Sequence, residues 1–284
     1  MKRVTLPDTQ SVPALGLGTW GFGDRRETRD SEIAAIELAL AMGYRLIDTA
    51  EMYGSGGAEE IIGIALERAI TQRIATRDDV FIVSKVYPHN ASRQGVIDAC
   101  ARTLDRLRVE SVDLYLLHWR GRIPLATTLH GFERLLADGR IRRWGVSNFD
   151  VEDTEELWRL PGGSACAANQ VYYSVSERGV EFDLLPWQRQ RRVPLMAYCP
   201  IDRGSAAGND TLAAIGAARG ATAAQVALAW ILRHPDVIAI PKASREAHLR
   251  ENLAAADIEL TTEELAAIDK AFPPPTHKQP LTMY

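Results

Sequence analysis

Four residues of different chemistry recur at comparable places along this chain: Asp48, Tyr53, Lys85 and His118. Asp48, Lys85 and His118 each close a short apolar run, and Tyr53 lies five residues after Asp48 in the segment Asp48-Thr49-Ala50-Glu51-Met52-Tyr53-Gly54. A phenol with its ordinary pKa of about 10 is a reluctant acid or base at neutral pH. An ammonium beside it, such as Lys85, would favour phenolate and lower that pKa, and a carboxylate such as Asp48 would hold the ammonium charged and in place. His118 would orient a carbonyl oxygen or share in the proton relay. Together these groups form a proton-transfer set suited to a carbonyl that becomes an alcohol. Singly, each has a duller use: Asp48 as a loop cap, Lys85 as a solvated strand end, His118 as a structural histidine. The pattern continues, however. Ser147 and Asn148 close a fifth run, Asn169 and Gln170 lie in a sixth, Tyr198 closes a seventh and Lys242 follows an eighth.

The runs that position these residues are Ala14–Gly18, Arg45–Asp48, Val80–Lys85, Asp113–His118, Arg142–Asn148, Ala168–Tyr172, Val193–Tyr198 and Val237–Pro241. Helical periodicity fills the intervals over Ser31–Met42, Ala58–Ile70, Ser92–Leu107, Leu125–Ala137, Asp150–Leu160, Ala221–His234 and Ser244–Ala255. Alternation of strand and helix implies parallel strands joined by crossovers. With no Pro-, Gly- or Ser-rich linker between them, eight such units favour a closed (β/α)8 barrel, one domain over residues 1–284, against an open doubly wound sheet. In a closed barrel the strand ends converge on one face, the face that carries active sites in barrel enzymes. An N-terminal β-hairpin, Arg3–Leu6 with Ser11–Ala14, precedes the barrel. An extra C-terminal helix, Thr262–Phe272, follows it, opened by the capping-box pattern Thr261-Thr262-Glu263-Glu264; Ser92 fits an N-cap. The tail from Pro273 to Tyr284 begins with three stiff prolines and reads as a surface appendage or as a lid over the barrel mouth.

Gly16-Leu17-Gly18-Thr19-Trp20-Gly21 matches G-x-G-x-x-G after a strand. A dinucleotide-binding turn would need a helix to open at the third glycine. Here Trp20-Gly21-Phe22-Gly23-Asp24 continues as loop and helical period begins only near Asp30, so the Rossmann reading fails. The net charge of −4 without long runs of either sign gives no reason to expect nucleic acid or an anionic membrane as partner. The most apolar stretch, around Ile33–Met42, is too short for a span and is interrupted by Glu37. Cys100, Cys166 and Cys199 are odd in number and widely spaced, which fits neither a disulfide framework nor a metal site and points to a reducing compartment. With no apolar stretch behind Met1-Lys2-Arg3, the expected location is the cytoplasm.

The ordered segments Gly18-Thr19-Trp20, Asp48–Gly54, Ser84-Lys85, Asp113–Trp119, Gly145–Phe149, Asn169-Gln170, Ala197–Pro200, Ile240–Lys242 and Glu251-Asn252 resemble those of the aldo-keto reductase family. The resemblance runs through nearly the whole chain, with the bacterial methylglyoxal and aldehyde reductases nearest in kind. It implies a catalytic tetrad of Asp48, Tyr53, Lys85 and His118, NADPH as cofactor (NADH as the alternative), and hydride transfer to a carbonyl with Tyr53 donating the proton. It further implies that Ser147, Asn148 and Gln170 hold the carboxamide and Tyr198 stacks on the nicotinamide. Gly18, Thr19, Trp20, Asp48, Cys199, Pro200, Ile201, Lys242, Ala243, Ser244, Arg245, His248, Glu251 and Asn252 would complete the cofactor site. No metal is required.

Two positions depart from the family pattern. His248 stands six residues after Lys242, where an arginine often clamps the 2′-phosphate, and Arg245 is the nearest guanidinium to compensate. Cys199 stands where serine is common. Substrate walls are expected from Trp20, Tyr53, Tyr87, His118 and Trp119, with tail residues near Tyr284 as further candidates; aromatic walls suit small aldehydes, dicarbonyls or sugar-derived carbonyls. A monomer is expected. A different use of the same barrel, a regulatory subunit sensing NADP(H) redox state, stays open at this point.

Overall fold

The computed structural model describes residues 2–283. Tyr284 and its expected place at a pocket wall therefore lie outside the described residues. The chain opens with an antiparallel hairpin, β1 (Arg3–Thr5) and β2 (Ser11–Pro13), whose Val4 and Val12 face one another in register. Both side chains and Leu6 are buried in the main core. Lys2 Nζ donates to Leu232 O and Arg143 pairs with Asp8. The hairpin thus sits against the N-terminal ends of the barrel strands, opposite the mouth.

Eight parallel strands follow: β3 (Leu17–Gly18), β4 (Leu46–Asp48), β5 (Phe81–Val86), β6 (Leu114–Leu117), β7 (Trp144–Ser147), β8 (Asn169–Tyr172), β9 (Leu195–Tyr198) and β10 (Val237–Ala239). They are hydrogen-bonded in sequence order from β3 to β10. The seam between the first and last is closed by Gly16 N donating to Ala239 O at 2.9 Å, Gly18 N to Pro241 O at 3.1 Å and Ala239 N to Ala14 O at 2.8 Å. The two glycines that mimicked a dinucleotide motif serve this closure. A Cβ on Gly16 would lie 2.2 Å from the Leu46 side chain, and one on Gly18 would lie 2.6 Å from Ile240 O. Strand β3 is shorter than the apolar run that announced it, because residues 14–16 join the seam by single bridges instead of a ladder.

Ten α-helices surround the sheet: α1 (Arg29–Ala41), α2 (Gly57–Thr71), α3 (Arg93–Leu107), α4 (Leu125–Ala137), α5 (Val151–Arg159), α6 (Leu184–Arg191), α7 (Asp210–Ala218), α8 (Ala223–Ile231), α9 (Glu246–Ala255) and α10 (Thr262–Ala271). Ser92 caps α3 by accepting from Gly95 N, and Thr261 and Glu264 form the reciprocal capping box of α10. The helix expected over residues 221–234 is confined to α8, set off by a second capping box, Thr222 with Gln225, and preceded by the Ala-rich α7. Helix α6 has no counterpart among the sequence expectations: Leu-Leu-Pro-Trp-Gln-Arg-Gln-Arg carries a proline in its first turn and no apolar repeat.

No single helix among the described residues is long and apolar enough to cross a membrane; only α7 and α8 pass together by composition, and they bend by 94°. The tail runs back to the mouth. Lys278 Nζ bonds Glu152 at 2.9 Å, Thr282 Oγ1 donates to Glu177 at 2.8 Å, and Met283 lines the central cavity. Of the two readings of the tail, the structure favours a cover over the mouth.

Because a side chain at Gly18 would meet seam backbone, Gly18→Ala should cost about 1–3 kcal/mol, the usual range for overpacking. A lowered urea midpoint at unchanged m-value is the expected result, and an unchanged midpoint would contradict a tight seam.

Candidate active site

The C-terminal ends of the strands surround a cavity of about 720 Å³. Asp48 ends β4, Lys85 lies in the last turn of pleat of β5, and His118 directly follows β6. Tyr53 opens a short 3₁₀ turn, Tyr53–Gly56, in which Gly54 and Ser55 take left-handed φ values of 57° and 54°. That tight reversal turns the phenol back over the strand ends. All four side chains are buried, Lys85 completely.

Lys85 Nζ is the hub. It donates to Asp48 Oδ2 at 2.8 Å, to Thr49 O at 2.8 Å and to the Tyr53 hydroxyl at 3.2 Å. The other Asp48 oxygen accepts from Gln170 Nε2 at 2.7 Å. The Tyr53 and His118 rings meet edge to face with centroids 5.9 Å apart. His118 Nδ1 is buried without a partner.

A polar strip continues along the floor. Ser147 Oγ donates to Gln170 O at 2.8 Å, Asn148 Nδ2 to His118 O at 3.1 Å, and the Tyr198 hydroxyl to Asn148 Oδ1 at 2.9 Å. Asn148 itself is left-handed (φ 57°), a conformation that asparagine tolerates better than most residues.

The cavity brings together most of the expected residues: Gly18, Trp20, Asp48, Tyr53, His118, Trp119, Ser147, Asn148, Gln170, Tyr198, Cys199, Pro200, Ile201, Lys242 and His248. Others lie off its surface. Thr19 is buried with its hydroxyl on Asp48 O, and Lys85 lies beneath Tyr53. Ala243 and Asn252 are buried, while Ser244, Arg245 and Glu251 stand behind Lys242 and His248 without lining the cavity. Arg245 reaches it only through His248, its Nη2 lying 2.7 Å from Nε2. Tyr87 is a second-layer wall, packed edge to face on Trp119 at 5.8 Å.

Met283 also lines the cavity, where tail residues near Tyr284 are expected; sequence reasoning missed Met52 and Arg203, which line it as well. Arg203 lies over the Trp20 ring, 5.0 Å from its centroid, so these two side chains bridge the rim. No periodic signal marks these residues, because each comes from an irregular segment. Among the described residues no cluster of His, Cys, Asp or Glu could hold a metal ion.

An aldo/keto reductase family model matches residues 14–272. The chain belongs to the aldo/keto reductase family. Its curated relatives include a methylglyoxal reductase, YeaE, of Escherichia coli, 46% identical over 99% of this chain and 99% of that protein. They also include a glyoxal reductase of Bacillus subtilis, 33% identical over 94% of this chain and 91% of that protein. Among solved structures, an aldo-keto reductase from Klebsiella pneumoniae in complex with NADPH superposes with a TM-score of 0.95 at 46% identity, covering 100% of this chain and 99% of that one.

Electrostatics in this aldo/keto reductase differ from the sequence expectation at one point. Burial, followed by the Asp48 charge, pushes the Tyr53 phenol well above its ordinary range instead of below it. Burial is the larger cause; in addition Asp48, 2.8 Å from Lys85, cancels much of the field that Lys85 would exert on the phenol. Burial pushes Asp48 up and Lys85 down, and their mutual contact opposes both shifts. Burial, reinforced by Lys85, holds His118 well below the ordinary imidazole range, so the ring is neutral. The resting site is therefore a protonated phenol over an internally compensated ion pair, beside a neutral imidazole.

His118 also links the site to stability. Its folded pKa is depressed while an unfolded histidine titrates near about 6.5. Below that pH the unfolded chain binds a proton that the folded chain refuses, so stability is lost as pH falls through about 6.5. In His118→Gln the loss of stability between pH 7.5 and pH 5, read from urea midpoints, should be smaller than in the parent by up to about 1.4 kcal/mol per pH unit. Equal slopes would mean that His118 takes its proton in the folded state.

Proposed function

We propose that residues 1–284 act as one catalytic domain, a monomer in the cytoplasm, that reduces small aldehydes and α-dicarbonyls such as methylglyoxal with NADPH. The observation that carries this reading is the Lys85–Tyr53 contact of 3.2 Å at the floor of a cavity walled by Trp20, Trp119 and Met283. Support for the substrate class comes from the names of the methylglyoxal and glyoxal reductases that this chain resembles.

The residues present fit a nicotinamide dinucleotide. The cavity is lined by amide and hydroxyl groups (Ser147, Asn148, Gln170), an aromatic face in Tyr198, and the cationic side chains Lys242 and Arg203. Such a donor set suits a ligand with a carboxamide at one end and phosphates at the other. Ser147, Asn148 and Gln170 would hold the carboxamide, Tyr198 would lie against the ring, and Lys242 with the His248–Arg245 pair would meet the phosphates. The cofactor, when bound, supplies the hydride.

The chain's own residues supply the proton and the positioning. Tyr53, held protonated by burial, releases its proton to the carbonyl oxygen as negative charge grows there. As the phenolate develops, Lys85 at 3.2 Å is placed to stabilise it, and Asp48 keeps Lys85 charged and immobile. Neutral His118 offers a ring N–H to the same carbonyl oxygen, orienting it toward Tyr53. The aromatic walls exclude water, which strengthens each of these interactions.

Tyr53→Phe should lower the turnover of methylglyoxal by about 10²–10⁴-fold, the usual range for general acid–base catalysis, while NADPH still quenches tryptophan fluorescence. Wild-type protein that binds NADPH tightly and turns over no carbonyl would replace this reading with that of a redox-sensing subunit. The His248–Arg245 pair predicts cofactor choice as well. Arg245→Ala should weaken NADPH binding by roughly 10-fold or more, the weight of one charge-assisted hydrogen bond, while NADH binding stays within about twofold. Parallel loss of both affinities would place the 2′-phosphate elsewhere.

A further inference from the structure

Behind the four central residues lies a second buried carboxylate that the reaction as described does not use. Glu59, in the first turn of α2, is fully buried. Its Oε1 accepts from Ser84 Oγ at 2.6 Å, and its Oε2 accepts from Arg106 Nε of α3 at 2.6 Å. Ser84 immediately precedes Lys85 in β5, so one arm of this carboxylate fixes the strand that carries the ammonium. The other arm leads to the phenol. The Arg106 guanidinium is packed on Gly56, so closely that a Cβ there would lie 2.6 Å from Nε. Gly56 ends the turn that begins at Tyr53, and its φ of 94° admits no ordinary side chain.

We propose that Glu59 is a positioning residue for carbonyl reduction: through Ser84 and through Arg106 on Gly56 it sets the Tyr53 turn against Lys85. This rests on the reading of Tyr53 and Lys85 given under Proposed function. Two chain elements must agree to within a hydrogen-bond length for Lys85 Nζ to reach the Tyr53 hydroxyl. Asp48 fixes the head of Lys85 from inside the barrel, whereas Glu59 ties the backbone of both elements from outside it. Burial pushes the Glu59 carboxyl above the usual carboxylate range, and Arg106 followed by Ser84 opposes that shift and favours the charge. The charge also favours the protonated form of Lys85, as Asp48 does more strongly.

The groups facing this pair come from every neighbouring element. They are Asp48 from β4, Glu51 and Tyr53 from the loop after it, Arg106 and Cys100 from α3, Tyr115 from β6, His118 beyond it, and Tyr198 and Cys199 at the end of β9. Removing one negative charge from this set makes the Lys85–Tyr53 pair release its proton more readily, so the alkaline limb of the reduction should move to lower pH.

The test uses the full-length enzyme with NADPH and methylglyoxal, in Glu59→Gln and in Ser84→Ala. Ser84→Ala deletes one oxygen, leaves the Glu59–Arg106 pair whole, and carries the test alone if Glu59→Gln does not fold. Expected are a kcat lowered roughly tenfold in Glu59→Gln and about threefold in Ser84→Ala. NADPH Kd should stay within about twofold, and the alkaline limb of kcat/KM should fall by about one pH unit in Glu59→Gln. Glu59→Asp should recover part of the rate and of the limb. A lower melting temperature with wild-type kcat and an unmoved limb would overturn the proposal and leave Glu59 as a brace only. Failure of the Tyr53 reading is distinguishable, because Tyr53→Phe would then turn over normally whatever Glu59 does.

Discussion

An ammonium fully withdrawn from water at the centre of a barrel is the constraint around which this mouth is built. Taking Lys85 and Asp48 out of water costs several kcal/mol per ion, recovered only when geometry is good and the remaining lone pairs and protons are satisfied. All three Lys85 protons find acceptors, and both Asp48 oxygens find donors. One of those acceptors is the Tyr53 hydroxyl and one of those donors is Gln170. The phenol and the polar floor are therefore not independent ornaments on the strand ends. They satisfy the buried pair, and in doing so they are placed where a carbonyl and a carboxamide would meet them. Loosening any member leaves a buried charge short of a partner, which explains why so much of the surrounding structure is tightly fixed.

Closure of the sheet makes that geometry attainable. Asp48, Lys85 and His118 lie on three successive strands, but Gln170 is far along the chain and reaches Asp48 across the barrel. An open sheet would hold β3 and β10 at opposite edges. The seam at Gly16 and Gly18 joins them, bringing Lys242 beside the loop that carries Trp20. A sequence feature that imitates a nucleotide-binding turn is thus explained by sterics: backbone meets backbone there, and glycine is the residue that fits.

The architecture was legible because its signals are periodic. Eight apolar runs with polar residues at one end translate into strand ends around a single mouth, and the strand-end residues Asp48, Ser147, Asn148, Gln170 and Tyr198 all face the cavity. Arg203 was not legible, since it arrives from a kinked turn, where no repeat constrains where a side chain points. Helix α6 escaped for a related reason: eight residues with a proline in the first turn and four polar side chains carry no period. The Tyr53 shift had the opposite sign from that expected, because the sequence shows that a cation and its carboxylate are near but not how completely the phenol is buried. Glu59 stands in the first turn of α2, where a carboxylate is ordinary, and only the packing of α2 and α3 against β5 shows it buried.

The resulting distribution of charge is uneven along the cavity in a way that suits its proposed use. At the inner end the only full charges cancel within one contact, while the phenol is protonated and the imidazole neutral. An uncharged carbonyl entering there meets donors but no net field, so little is gained by binding it in its ground state. Under the proposed mechanism, negative charge developing on its oxygen would meet Tyr53 and His118, with Lys85 directly behind the phenol, so that stabilisation would grow with the charge itself. Lys242, Arg203 and His248 line the same cavity outside the Lys85–Asp48 contact. Under the proposed reading, a change among them, such as histidine in place of arginine at position 248, would alter cofactor binding without disturbing the ion pair behind Tyr53.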